Sequence, residues 1–121
     1  MGRGVTVGAF ARLDVVDKVG ALSDPACPVE VIRTGAGAED WWVRRAAVGN
    51  PRAPAEVVRA GAGDEHPWVR KTAASSPCIT EEAAERLNTS KTPEIQRLLA
   101  ENPAVPERIR VVAAMRAGAF H

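Results

Sequence analysis

The side chains best suited to chemistry stand in two strings, Trp41-Trp42-Val43-Arg44-Arg45 and Trp68-Val69-Arg70-Lys71. Indoles beside guanidinium groups are the residue types that dominate binding hot spots. Cations at regular intervals can also track phosphates, with indoles as stacking platforms. Neither string supplies a nucleophile paired with a base. His66 precedes Pro67 at a helix-cap position and His121 is the last residue, and neither has a second metal ligand at useful spacing. Ser75-Ser76 reads as a turn device, and Gly61-Ala62-Gly63 closes a helix rather than cradling a phosphate. The residue types therefore point to binding without catalysis, and to neither metal nor cofactor.

These strings are copies of one another. Pro25, Pro51, Pro77 and Pro103 recur with a period of 26 residues, preceded by Asp24, Asn50, Ser76 and Asn102. A fixed period in so short a chain predicts an all-α right-handed solenoid of about four two-helix units rather than a globule closed round one centre. The columns Val43/Val69/Ile95, Ala21/Ala47/Ala73/Leu99, Val31/Val57/Ala83/Ile109 and Cys27/Ala53/Ile79/Val105 are apolar throughout, as a buried face requires. First helices are expected near 15–23, 41–49, 67–75 and 93–101, with Asp40 and Thr92 as N-caps. Each should stop at the step before proline. Second helices are expected near 28–36, 54–62, 80–88 and 106–115, with Pro28, Pro54 and Pro106 at their first position and Thr80 capping the third. Gly35, Gly37, Gly61, Gly63 and Gly118 should end or interrupt them. The units run near 13–39, 40–65, 66–91 and 92–118 within a helical-repeat domain over 13–121, and residues 1–12 read as an irregular arm.

Helical periodicity then sorts the functional candidates. Arg45, Lys71 and Arg97 fall on the outermost column, flanked by Trp42, Trp68, Glu94 and Phe120 on one side and by Arg44 and Arg70 on the other. Trp41 is expected to point outward beside Trp42. Two readings of this face stand open. In one, Trp41, Trp42, Arg44, Arg45, Trp68, Arg70, Lys71 and Arg97 form a strip that binds another protein. In the other, the indoles fill gaps left by Ala and Gly, and the cations merely lie over them or pair with local acids. Sequence-independent nucleic-acid binding along Arg45, Lys71 and Arg97 is the alternative function. On the second helices, Glu30–Arg33, Glu56–Arg59 and Glu82–Arg86 have the spacing of pairs within one helix.

The strings from Val43 to Pro54, from Val69 to Pro77 and from Gln96 to Pro106 resemble the leucine-rich repeat variant unit: Val-Arg, small apolar residues, Asn-Pro, then a proline opening an aliphatic helix. The resemblance implies alternating α- and 3₁₀-type helices in a right-handed superhelix, in a bacterial setting. It also suggests a third function, as an accessory factor to a metalloprotein. The units here are slightly longer than the family's, Val or Ala often replaces its leucine, and Asp17-Lys18 stands where the first unit should have Val-Arg. The iron–sulfur cluster of the family's best-known setting does not carry over to a chain with two cysteines.

A net charge of +1 argues against a generally basic nucleic-acid binder. Thirteen arginines against three lysines, with abundant Ala and Gly, suggest a GC-rich bacterial genome. No apolar run is long enough for a membrane span and no secretory signal opens the chain, so a cytoplasmic location is expected. With units about 10 Å apart, Cys27 and Cys78 are separated by roughly 20 Å, beyond the ~7 Å that a disulfide allows. At the C-terminal end Val111 replaces Arg33, Arg59 and Glu85 of its column, with Met115 one turn on and Phe120 beyond. These three are candidates for contact with another chain, such as a second copy in a homodimer.

Overall fold

A computed structural model describes residues 5–118. Those residues are all-α, with nine helices and no strand among them. A short α1 (Val7–Ala11) precedes two alternating sets. The first helices are α2 (Val15–Ser23), α4 (Trp41–Val48), α6 (Pro67–Ser75) and α8 (Pro93–Glu101). The second helices are α3 (Val29–Ala36), α5 (Ala55–Ala62), α7 (Glu81–Asn88) and α9 (Glu107–Arg116). Most are eight or nine residues long, too short to hold alone in water, so packing must supply their stability. Substantial contacts join helices one or two apart in sequence: α2 on α4, α4 on α6 and α6 on α8 in one row, α3 on α5, α5 on α7 and α7 on α9 in the other.

The apolar columns are the core. Val43, Val69 and Ile95 are buried, as are Ala47, Ala73 and Leu99. Val31, Val57, Ala83 and Ile109 join them, with Cys27, Ala53, Ile79 and Val105. Burial, together with the charge of Asp24, pushes the Cys27 thiol up from its ordinary value, which suits a core residue and not a nucleophile. Gly35 and Gly61 do not end their helices; they lie buried inside α3 and α5. A β-carbon at Gly61 would stand 2.8 Å from Val48 Cγ2, and one at Gly35 2.7 Å from Leu22 Cδ1. Both glycines therefore let second helices approach first helices closely.

Several expectations need correction. Residues 1–12 are not wholly irregular: Thr6 accepts a hydrogen bond from the Ala9 N–H at 3.1 Å, α1 follows, and Phe10 is buried where α1 packs on α3. The second helices are α, not 3₁₀, because eight-residue runs outlast the three or four residues that 3₁₀ geometry sustains. The tighter pattern survives at their ends: Pro28 O accepts from both Val31 N and Ile32 N, and Gly37 N and Ala38 N donate to Thr34 O and Gly35 O. Pro28, Pro54 and Pro106 occupy the N-cap, with extended backbone, rather than the first helical position. Thr92 is an N-cap without a side-chain bond, whereas Asp40 and Thr80 cap as expected. Charges on the second helices pair between units and not within helices. Arg33 Nε meets Glu56 Oε2 at 2.7 Å, Arg59 meets Glu82 at 3.4 Å, and Arg108 reaches both Glu81 and Glu85. A partner on the neighbouring helix lies as near as one a turn away on the same helix.

The residue before each period-marking proline does more than stop a helix. Asp24, Asn50, Ser76 and Asn102 each accept the N–H two residues on, at 2.8–3.0 Å. The two asparagines also donate backwards. Asn50 Nδ2 reaches the carbonyls of Leu22 and Asp24 at 2.6 and 3.0 Å, and Asn102 Nδ2 those of Ala74 and Ser76, both at 2.9 Å. Ser76 is too short to do this. Ser76→Asn is therefore expected to reach the carbonyls of Val48 and Asn50, one period after Leu22 and Asp24. The added pair should stabilise the chain by about 1 kcal/mol, read as a later midpoint in urea; an unchanged or earlier midpoint would count against the staple.

Candidate functional site

The first-helix face is built from the N-caps outward. Asp40 Oδ1 accepts the Trp42 N–H at 2.9 Å, and His66 Nδ1 accepts that of Trp68 at 3.2 Å. These bonds set where α4 and α6 begin, and hence where both indoles emerge. Trp42 is 52 % exposed and Trp68 46 %, so neither is a gap-filler.

Trp41 is a correction. It turns inward, half-buried against the core, with its ring stacked on His66 at 4.0 Å and 11° and edge-on to Trp42 at 5.6 Å. A residue one step from the outward column can reach the seam between consecutive units, and the imidazole there offers a flat partner.

Arg44 and Arg70 are corrections as well. Arg44 binds the Asp64 carboxylate through Nε at 2.8 Å and Nη2 at 3.1 Å, while Nη1 donates to the carbonyls of Ala38 and Glu39 at 3.0 and 2.8 Å. Arg70 repeats the second half, with Nη1 donating to Asp64 O and Glu65 O at 2.7 and 3.0 Å. Gln96 fills the same column, its Nε2 bonded to Asn88 O and Ser90 O. The column is a clamp on the loops before the first helices, its donors turned to backbone carbonyls and, for Arg44, to the Asp64 carboxylate. Burial pushes the Asp64 carboxyl up, but the Arg44 hydrogen bond, the His66 N–H and the nearby positive charges outweigh it and hold the group below the usual carboxylate range. Asp64 itself passed unnoticed in the sequence because it stands in a loop with no helical register, 20 residues from its partner on α4.

Arg45, Lys71 and Arg97 do share the outer column, with different commitments. Arg45 lies over Trp68, 23 residues on, with Cζ 5.3 Å from the ring centroid. Lys71 lies 4.4 Å from the same centroid and pairs with Glu94 at 2.7 Å. The hydrogen bond and charge of Lys71 hold the Glu94 carboxyl below its ordinary value. Arg45 and Arg97 are exposed and make no ion pair among the described residues.

Beside Trp42 an open groove of about 500 Å³ runs between α2, α4 and α6, with Val19, Ser23, Arg45 and Thr72 on its walls. Sequence reasoning missed the α2 wall. The signal was present: Val19 stands in the column of Arg45, Lys71 and Arg97, but the first unit read only as degenerate.

At the far end Val111, Val112 and Met115 are exposed on α9, while Phe120 lies outside the described residues. Among the described residues no group of three or more His, Cys, Asp or Glu could hold a metal ion, and no helix is long and apolar enough to cross a membrane. No family model, curated protein or solved structure matches the chain.

Proposed function

We propose that the chain is a non-enzymatic protein-binding module: a right-handed solenoid of four units, of leucine-rich repeat variant type, that recognises a partner through the outer face of its first helices. The solenoid reading is supported by packing confined to near neighbours in sequence and by side-chain bonds spaced by the sequence period. One observation carries the binding reading. Two half-exposed indoles share a face with Arg45 and Arg97, cations that pair with no acid among the described residues. Exposed large aromatics beside uncommitted arginine mark contact surfaces. The strip narrows to Trp42, Arg45, Trp68 and Arg97. Phosphate tracking is less well served, since Arg44 and Arg70 face inward and Lys71 is neutralised by Glu94. The role of accessory factor to a metalloprotein rests on the family resemblance alone, and no arrangement of side chains favours it.

The test is capture from the native host with the wild-type chain and with Trp42→Ala/Trp68→Ala, after circular dichroism has verified equal helicity. A protein should be retained by the wild type and lost by about tenfold or more in the double variant. Parallel titrations on single- and double-stranded DNA should show no tight binding. Steep weakening between about 50 and 200 mM salt, insensitive to the tryptophans, would instead establish phosphate binding.

A further inference from the structure

We infer that the groove beside Trp42 takes a peptide segment in which a large apolar side chain stands next to a carboxylate, an inference resting on the protein-binding reading above. The argument starts from a rule visible along both rows. A side chain on one unit meets the residue 23 positions on: Arg33 meets Glu56, Arg59 meets Glu82, Lys71 meets Glu94, and Arg45 meets Trp68. Applied once more towards the N-terminus, the rule pairs Trp42 with position 19. There the chain has Val19, and both residues line the groove. Two cations, Arg45 and Lys71, lie over Trp68, whereas among the described residues none lies over Trp42. Val16, in the same column as Trp42, is 73 % exposed. One indole, with Val19 beside it, is thus left without the cations that lie over its equally exposed copy.

The groove also has a charge. Its lining includes Arg45 and no acid; of the acids on the first helices, Glu94 and Glu101 lie on α8 at the other end of the row and Asp17, on α2, does not line the groove. A carboxylate beside the apolar anchor would therefore meet an unneutralised guanidinium without a competing anion. The hydroxyls complete the fit. Ser23 donates to Val19 O at 2.8 Å and Thr72 to Trp68 O at 2.9 Å, so each oxygen keeps acceptor capacity on the groove wall for the N–H groups of an extended chain. Indole and valine for the side chain, guanidinium for the carboxylate and hydroxyl oxygens for the backbone together describe a short acidic and apolar peptide.

The test uses the whole chain, immobilised, against a displayed library of short random peptides. The expected winners carry Phe, Trp, Leu or Met adjacent to Asp or Glu. A winner is then synthesised and titrated by tryptophan fluorescence against wild type, Trp42→Ala, Trp68→Ala, Arg45→Gln and Val19→Arg. The last variant places a cation where the rule would set it over Trp42 as Arg45 lies over Trp68; Val19 is half-buried against the core, so equal helicity by circular dichroism is verified first. Trp42→Ala and Val19→Arg should each weaken binding by about tenfold or more. Arg45→Gln should erase the difference between the acid peptide and its amide counterpart. Winners that need Trp42 but are basic, or bind equally well as the amide, overturn the assigned chemistry and leave the protein-binding reading standing. Winners indifferent to both Trp42→Ala and Trp68→Ala, or no winners at all, remove both.

Discussion

Asn50→Ala should destabilise the chain by about 3 kcal/mol, because three backbone partners lose their bond at once and unsatisfied buried polar groups cost about 1–3 kcal/mol each. The carbonyls of Leu22 and Asp24 lose a donor and the Arg52 N–H loses its acceptor. The side chain that serves them is 1 % exposed, so water has little access to replace it. On the order of 10 °C in Tm follows for a domain of this size. The informative variant is Asn50→Asp. It keeps the oxygen that accepts from Arg52 N, which is all that Asp24 does in its own unit. It also presents an oxygen to two carbonyl oxygens in place of an amide donor. If the residue served only as a turn former, aspartate would restore wild-type stability, and that result would sink the staple. If it joins unit to unit, aspartate at neutral pH should be no better than alanine. Urea unfolding read at two wavelengths would show whether the first unit also separates early, since repeat stability depends on nearest-neighbour contacts.

The asparagine column shows where the sequence was transparent and where it was not. Period and apolar columns located the helices to within a residue or so, because burial recurs with the same spacing as the sequence. The Asn-Pro step was read as a stop signal, a local property. Its second role depends on carbonyls 26 and 28 residues away, which no window on the chain contains. The same distinction explains the candidate face. Outward columns were assigned from helical angle alone, which placed Trp42, Trp68 and Arg45 correctly and sent Trp41, Arg44 and Arg70 to the surface with them. An angle cannot register that the loops before α4 and α6 present bare carbonyls, or that Asp64 waits beside them. Arginine is long enough to leave a helix flank and satisfy all of these. The ion pairs erred in the same direction. Spacing within one helix is legible, whereas spacing between stacked helices needs the stack.

Arg44→Ala is expected to cost about 3–5 kcal/mol, the range for removing one partner of a buried ion pair. The two side chains are only 15 % and 12 % exposed, so Asp64 would be left as a poorly solvated charge and the Ala38 and Glu39 carbonyls would lose their donor. Lysine should rescue little, because one ammonium cannot bridge a carboxylate and two carbonyls in the planar fork that arginine uses. The pair also predicts an acid response of definite sign. The carboxyl of Asp64 lies below its ordinary value in the folded chain, so folding favours the ionised form. Its contribution is therefore complete above the unfolded value near pH 4 and is lost as pH falls through the lower, folded value. Glu56 and Glu94 are depressed too, so the wild-type curve alone does not isolate the clamp. The difference between wild type and Asp64→Asn does. The two should diverge most above about pH 5 and converge towards pH 2, whereas parallel curves would show that Asp64 takes no special part. The clamp also holds the loop carrying His66, whose Nδ1 caps α6 beneath Trp68 and whose ring supports Trp41. Loosening Arg44 should therefore blur the near-ultraviolet dichroism of the tryptophans before the helices unfold, tying the stability of an inward arginine to the posture of the exposed indoles.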